Sequence, residues 1–452
     1  MWMSLVTAGC RAPDAAPDLA PDAIAIPAEP QREGDPERGY EVLTNGDFVS
    51  CGVPRVAYDA VVGPASAPFR LEGREPGAEG LYYAMNLVTT GSGVEVVGAN
   101  CFTCHASWFR DQLVLGLGAA EGDFTTDLAP YAAAVGVFVP AEDTAAKAEW
   151  EKWSERVVAV APYVSTDTLG VNPADNLAAA LFAHRDRDTL AWSAEPTIPP
   201  PPTEPVPTDV PPWWVMHKKN AMFYTGAGRG DQARIMMSAS ALCTDELDEA
   251  RVIDADFPDV RAYIRSLEAP PYPFPIDEAL AESGEGVFDA QCSQCHGTYG
   301  EDETYPNLLI PLDRIGTDPM LVTGSGQLAA SAVEWFNDSF YGEIARFEPG
   351  DGYVAQPLDG IWASAPYLHN ASVPTLAGLL DPEQRPTYWT RVAEYDPEQV
   401  GWRFEPRDHG KSGFEPEVYD TTRPGYANTG HPFGEGLDPD ERRAVLEYLK
   451  TL

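Results

Sequence analysis

The chain has 452 residues, more than one ordinary domain holds, and 44% of them are hydrophobic, enough for real cores. Its 70 acidic side chains against 30 basic ones leave a net charge of -40, which repels nucleic acid and anionic membrane surfaces and suits a basic protein partner. No stretch approaches ~18 uninterrupted apolar residues, so no transmembrane helix is expected.

The chain opens on MWMSLVTAGC, whose Ala8-Gly9-Cys10 ending resembles the end of a bacterial lipoprotein signal, where the cysteine receives the lipid. The absent basic start and Thr7 depart from that pattern, and a frayed terminus is the other reading. Residues 11–35, rich in Pro, Ala and Asp, predict a disordered tether. Residues 35–47 (DPERGYEVLTNGD) predict a helix, and GSGVEVVGAN a turn with a short strand. CFTCHASW follows at 101–108. The Pro-rich run at 195–212 predicts a loop laid over the surface, not a domain boundary.

Residues 256–275 predict a helix with Val260, Tyr263, Ile264 and Leu267 on one face, stopped by a proline run. IDEALAESGEGVFDAQCSQCH is helical in pattern, and its Gly284 and Gly286 let something pack closely. LDPDERRAVLEYLKTL closes the chain as a helix with Asp438 at the N-cap, Pro439 at N1 and Glu441 completing a capping box. AYIRSL and EYLKTL are one ending used twice. Two units follow from this repeat, 36–270 and 271–452, each running from a CxxCH motif to a closing amphipathic helix, behind a leader at 1–35.

The motifs are Cys101, Cys104, His105 and Cys292, Cys295, His296. Thiols at i and i+3 lie on one side of a helical turn and reach the two vinyl groups of one haem, and the next histidine points its imidazole at the iron. A four-cysteine zinc site would have to join pairs from separate units, and a thioredoxin-like dithiol needs a βαβ context that is not visible. Two covalently bound haem c groups are therefore expected, with His105 and His296 as fifth ligands.

The sixth ligand decides between electron transfer and small-molecule chemistry. For the second iron, His431 lies in the loop before the closing helix, with His369 as rival beside His409 and Met320. For the first, residues 211–237 offer Met216, His217, Met222, Met236 and Met237, beside Trp213 and Trp214; the methionines read more readily as core. Lys218, Lys219 and Arg229 are basic residues able to pair with haem propionates. His184 reads as structural. Cys51 and Cys243 pair in an oxidising compartment or stay two buried thiols.

Together with GIWASAPYLHNASVPTL (360–376), NTGHPFGEGLDPDERRAVLEYLKTL (428–452) and the Trp-Trp segment, the motifs resemble the dihaem cytochrome c peroxidase superfamily, within it the group around bacterial rubber oxygenase. The resemblance covers roughly residues 36–452. It implies a six-coordinate C-terminal haem that relays electrons, with His431 as sixth ligand, and an N-terminal haem that meets O₂ or peroxide. It also implies a tryptophan between the haems, matched by Trp214, and a tyrosine near the second haem, matched by Tyr367. The chain is much shorter than the rubber oxygenases, and only Phe223 stands as a candidate for their distal phenylalanine.

The expectation is a mainly α protein, two tandem cytochrome c-like domains with long loop insertions and little β. Its expected role is a c-type oxidoreductase of the bacterial cell envelope, periplasmic or secreted, with a lipid anchor at Cys10 if the signal holds. It would exchange electrons with a redox partner protein and take peroxide or O₂ at the N-terminal haem. The alternatives are a pure electron-transfer cytochrome with both irons six-coordinate, and an oxygenase cutting an apolar polymer or lipid.

Overall fold

The computed structural model describes residues 21–323 and 330–452, so the signal-like segment with Cys10 lies outside the described residues. Four helices set the frame: α1 (Pro36–Asn45), α2 (Leu247–Ser266), α3 (Glu278–Gln291) and α4 (Pro439–Leu449). α1, α3 and α4 start where the sequence says, whereas α2 begins at Leu247, nine residues before the expected 256, with Pro258 inside it. Asp35 caps α1 by accepting from the amides of Glu37 and Arg38, and Asp438 with Glu441 forms the expected reciprocal box at α4. The proline run beyond Leu267 ends α2.

α1 packs on α2, and α3 on α4, in equivalent crossings. In α1, a Cβ on Gly39 would lie 2.0 Å from the carbonyl oxygen of Asp259 and 2.8 Å from Cβ of Tyr263; in α3, a Cβ on Gly284 would lie 1.9 Å from that of Ala444 and 3.0 Å from Cβ of Tyr448. Tyr263 and Tyr448 hold the same place in the AYIRSL and EYLKTL endings, so the sequence repeat is a repeated helix crossing. Neither crossing has room for a side chain at its glycine. Gly284→Ala is expected to destabilise the protein by about 3 kcal/mol, the upper part of the overpacking range. Gly286→Ala, with nothing within 4 Å of its would-be Cβ, should not. Denaturant midpoints of the two variants check this.

The expectation of a mainly α protein with little β is corrected. The structure is 38% helix and 15% strand, with 14 helices and five small sheets among the described residues, a mixed α/β content. Most strands run two to five residues, as in Val53–Pro54, Met85–Thr89 and Ala106–Phe109, too short to show a period-two pattern in sequence; the short strand expected in GSGVEVVGAN is present as Glu95–Ala99. The longest, Tyr388–Asp396, pairs with Gly401–Pro406 and Val418–Asp420 and carries no clean alternation of buried and exposed residues.

The tether expectation also fails for the part of 11–35 that is described. Ile24 and Ala25 pair with Leu309 and Leu308. Arg32 bridges Asp231 at 2.9 Å and Asp254 at 2.8 Å. Composition predicts the cost of ordering a Pro/Ala/Asp segment, but not that a sheet edge and two carboxylates await it.

The boundary near 270 separates the helix pairs but not the cores. Trp335, Phe336, Tyr341 and Phe347, from beyond 270, sit in one core with Leu43, Phe182 and Phe257, and Trp335 stacks on Phe182 at 4.7 Å. In return Phe109, Leu117, Trp214 and Val215 sit in the other core with Phe288, Trp362 and Val445. Cys51 and Cys243 form a disulfide, with Cα atoms 5.3 Å apart.

Candidate haem sites

Both CxxCH motifs form one short turn with the same bonds. His105 N–H donates to Cys101 C=O at 3.1 Å, and His296 N–H to Cys292 C=O at 3.0 Å. The four cysteines carry no disulfide. Among the described residues no three His, Cys, Asp or Glu side chains converge as a metal cluster, so the two CxxC pairs do not join in a zinc site.

At the second motif a largely apolar cavity opens, walled in part by Phe288, Cys292, Cys295, Leu380 and Val445. His296 and His431 both face it, their ring centroids 6.3 Å apart. Two imidazoles on opposite faces of one metal ion stand about 6 Å apart, the sum of two metal–nitrogen bonds of ~2 Å and two ring radii of ~1 Å. The residues present therefore fit a haem held between these rings. Burial lowers the His296 pKa, an effect partly offset by its bond to a carbonyl. Burial, with lesser contributions from His296 and Arg385, lowers that of His431 to about 3. Both rings are neutral at pH 7, the form that ligates iron.

His431 stands in a strained place. Its φ is +52°, left-handed for a residue with a side chain, and its N–H donates to Ile315 C=O at 2.6 Å. A Cβ on the preceding Gly430 would lie 2.2 Å from the amide nitrogen of Thr317. The Arg385 guanidinium holds the loop from behind, donating to Asn428 C=O at 2.6 Å and Gly430 C=O at 2.9 Å. The sequence carries no signal for Arg385, because its role exists only where the two loops meet. Nδ1 of His431 is buried with no hydrogen-bond partner.

His369 lines the same cavity but is already engaged. Its Nε2 lies 3.0 Å from the Tyr353 hydroxyl, and its ring stacks on Tyr353 at 4.1 Å. Tyr367 is buried at the cavity wall and donates its hydroxyl to Val400 C=O at 3.1 Å. Asp209 is a cavity residue the sequence reading missed, at the end of the Pro-rich run. It accepts from the Tyr224 hydroxyl at 2.5 Å, and burial raises its carboxyl to about 7. The run thus ends inside the site and not on the surface.

At the first motif, burial lowers the His105 pKa to about 4, and its Nδ1 has no partner. The hairpin Ala106–Phe109/Gln112–Leu115 follows at once and returns Gly116 N–H to His105 C=O at 2.8 Å. Trp213 N–H donates to Gly116 C=O at 2.8 Å, and its indole stacks on the His105 ring at 4.8 Å. The Cys104 thiol accepts from Asn172 at 3.3 Å. Two thiols and a neutral imidazole on one turn, with an unpaired ring nitrogen, fit a haem here too. Met216 and Met237 are buried in the first core, and Met222 and Met236 pack against it. His217 Nδ1 lies 2.5 Å from Trp214 C=O. Phe223 stacks on Phe347 and is 37% exposed. His184 stacks on Trp192, and His409 sits exposed beside Asp408.

Trp213 and Trp214 share one 3₁₀ turn, Trp213–His217, yet belong to different cores. Trp214 is 1% exposed and donates Nε1–H to Asp359 C=O at 2.7 Å. A Cβ on Gly360 would press against that indole, 3.0 Å from Nε1. One indole thus touches the first histidine, and its neighbour touches the strap of residues 356–359 beside the second site.

A family model described as RoxA-like, cytochrome c-like matches residues 352–390, which include the strap, Tyr367 and His369. The match supports a RoxA-like cytochrome c relationship and implies haem c. Two uncharacterized proteins of Sinorhizobium fredii (strain NBRC 101917 / NGR234) are similar. The protein y4iJ is 32% identical over 240 residues, 39% of this chain and 39% of y4iJ. The protein y4iM is 29% identical over 318 residues, 61% of this chain and 71% of y4iM. The matched region thus spans well under half the length of y4iJ. No helix among the described residues is long and apolar enough to cross a membrane.

Proposed function

We propose that the chain is a dihaem c-type cytochrome with oxidoreductase activity, one site relaying electrons and the other meeting peroxide or O₂. The observation that carries this is the asymmetry of the two motifs. His296 faces His431 across a cavity, while the ring beside His105 is an indole. Cys101, Cys104 and His105 would hold one haem c, and Cys292, Cys295, His296 and His431 the other. Haem iron supplies a one-electron couple, and where one face is free it binds a small oxidant.

The residues divide this work. His296 and His431 would close both faces of their iron and leave it outer-sphere exchange alone. Neutral His105 would hold the other iron from one side. Trp213 stacks on the His105 ring and its chain neighbour Trp214 bonds to the Asp359 carbonyl beside the second site, and Trp214 is the residue proposed to carry the electron between them. Tyr367 is proposed to shape the cavity wall near the second haem. The Cys51–Cys243 disulfide supports an oxidising compartment, the cell envelope, and the charge of -40 supports a basic redox partner.

The test is ligand binding by the haem-loaded protein. Cyanide or carbon monoxide is expected to bind one haem only, and His105→Ala should abolish that binding and spare the spectrum of the other. Trp214→Phe should keep both haems and slow electron exchange between them at least tenfold in a flash-reduction measurement. If neither haem binds a ligand in any oxidation state, the protein is an electron carrier and not an enzyme.

A further inference from the structure

Behind the proximal face of the second site lies a buried lysine that the proposed function does not use. His296 Nδ1–H donates to the backbone carbonyl of Gln356 at 2.7 Å. The side chain of that same Gln356 accepts from Lys219 Nζ at 2.7 Å and donates to Val354 C=O at 3.2 Å. Lys219 is 4% exposed, and burial lowers its pKa to about 7. Desolvating an amine is costly, and its side-chain bond goes to a neutral amide. Its neighbour Lys218 makes the conventional ion pairs, to Asp359 at 2.7 Å and Glu303 at 2.9 Å.

Lys219 follows the Trp-Trp turn by two residues, across the 270 boundary from the strap, so residues 214–219 fasten the 356–359 strap at three points: Trp214 on Asp359 C=O, Lys218 on its carboxylate and Lys219 on the Gln356 amide. The first two hold the far end of the strap. Lys219 alone of the three acts on the residue whose carbonyl receives the ligand's proton.

We propose that Lys219 is a positioning residue for the second haem: through the Gln356 amide it holds the Gln356 carbonyl on His296 and so sets the orientation and basicity of the proximal imidazole. A hydrogen bond on the far nitrogen makes a ligating histidine more basic, and a more basic ligand favours the oxidised iron. Severing the link loosens that bond and raises the potential. The inference rests on the haem reading of the His296 site.

Full-length, haem-loaded Gln356→Leu removes the amide and keeps both the carbonyl and the lysine; Lys219→Met severs the same link from the other end. The strap stays anchored in both, since Val354 N–H donates to Tyr224 C=O at 2.8 Å and Ala355 N–H to Leu308 C=O at 3.0 Å. Each variant is expected to shift the reduction equilibrium of the second haem about tenfold toward the reduced state, ~59 mV for a one-electron couple. Each should also move that haem's low-spin electron paramagnetic resonance signal and leave the first haem unmoved. The double variant should shift no further than either single one, because both break one link. Potentials that stay put in both variants would overturn the proposal, as would a fall in Lys219→Met with no change in Gln356→Leu, which marks the lysine as a bare charge. A wild-type protein with no low-spin haem at His296 would instead remove the reading beneath it.

Discussion

Replacing His431 with glycine is expected to turn one low-spin haem signal fully high-spin and leave the other unchanged. The ring opposes His296 at 6.3 Å, and its Nδ1 has no protein partner. Its backbone is left-handed at φ +52°; glycine adopts that conformation without strain, so the substitution removes the ligand and not the turn. The Arg385 clamp grips carbonyls of Asn428 and Gly430, not the ring, and should survive. Added imidazole should restore the low-spin signal by filling the vacated space. His369→Gly serves as the control. Its ring is spoken for by Tyr353, so its loss should lower stability and leave both spin states alone. If the His369 variant goes high-spin and the His431 variant does not, the ligand has been assigned to the wrong histidine.

The two histidines show what could be read from sequence and what could not. Both precede a turn in a loop, and both stand in the second unit. Position before the closing helix favours His431, but Tyr353, which occupies His369, lies on a strand of three residues that no periodicity marks. The closing helix and its cap were legible because capping is local: Asp438 and Glu441 act within one turn of their own helix. The sheets were not, because a strand such as Ile24–Ala25 exists only by virtue of Leu308 and Leu309. The same holds for Asp209, Arg385 and Lys219, whose partners are distant in the chain. The Trp-Trp turn stood out as a concentration of indole, but its division between two cores follows from packing alone.

Mass spectrometry of the protein matured with haem c is expected to find two covalent haem additions, and Cys104→Ala and Cys295→Ala should each weaken one of them. The physical basis is the shared turn. Residue i and residue i+3 of each motif lie on the same side of it, closed by the bonds from His105 and His296 back to Cys101 and Cys292. Removing the second thiol leaves the first one and the histidine, so the haem stays ligated but tethered through a single bond. The reduced pyridine complex of each variant should show a red-shifted band for one haem of the two. Cys101→Ala with Cys104→Ala should lose the first haem on acid–acetone extraction and keep the second; Cys292→Ala with Cys295→Ala should do the reverse. The losses should be independent, because the motifs sit in separate cores. Desolvation of the half-buried Cys101 and Cys292 thiols argues against simple oxidation as the purpose of these pairs. It pushes the Cys101 and Cys292 thiols up to about 12, which keeps them protonated and poor nucleophiles toward peroxide. A protein that emerges from the same maturation colourless, with zinc at one or both CxxC pairs, would end the haem reading of those motifs.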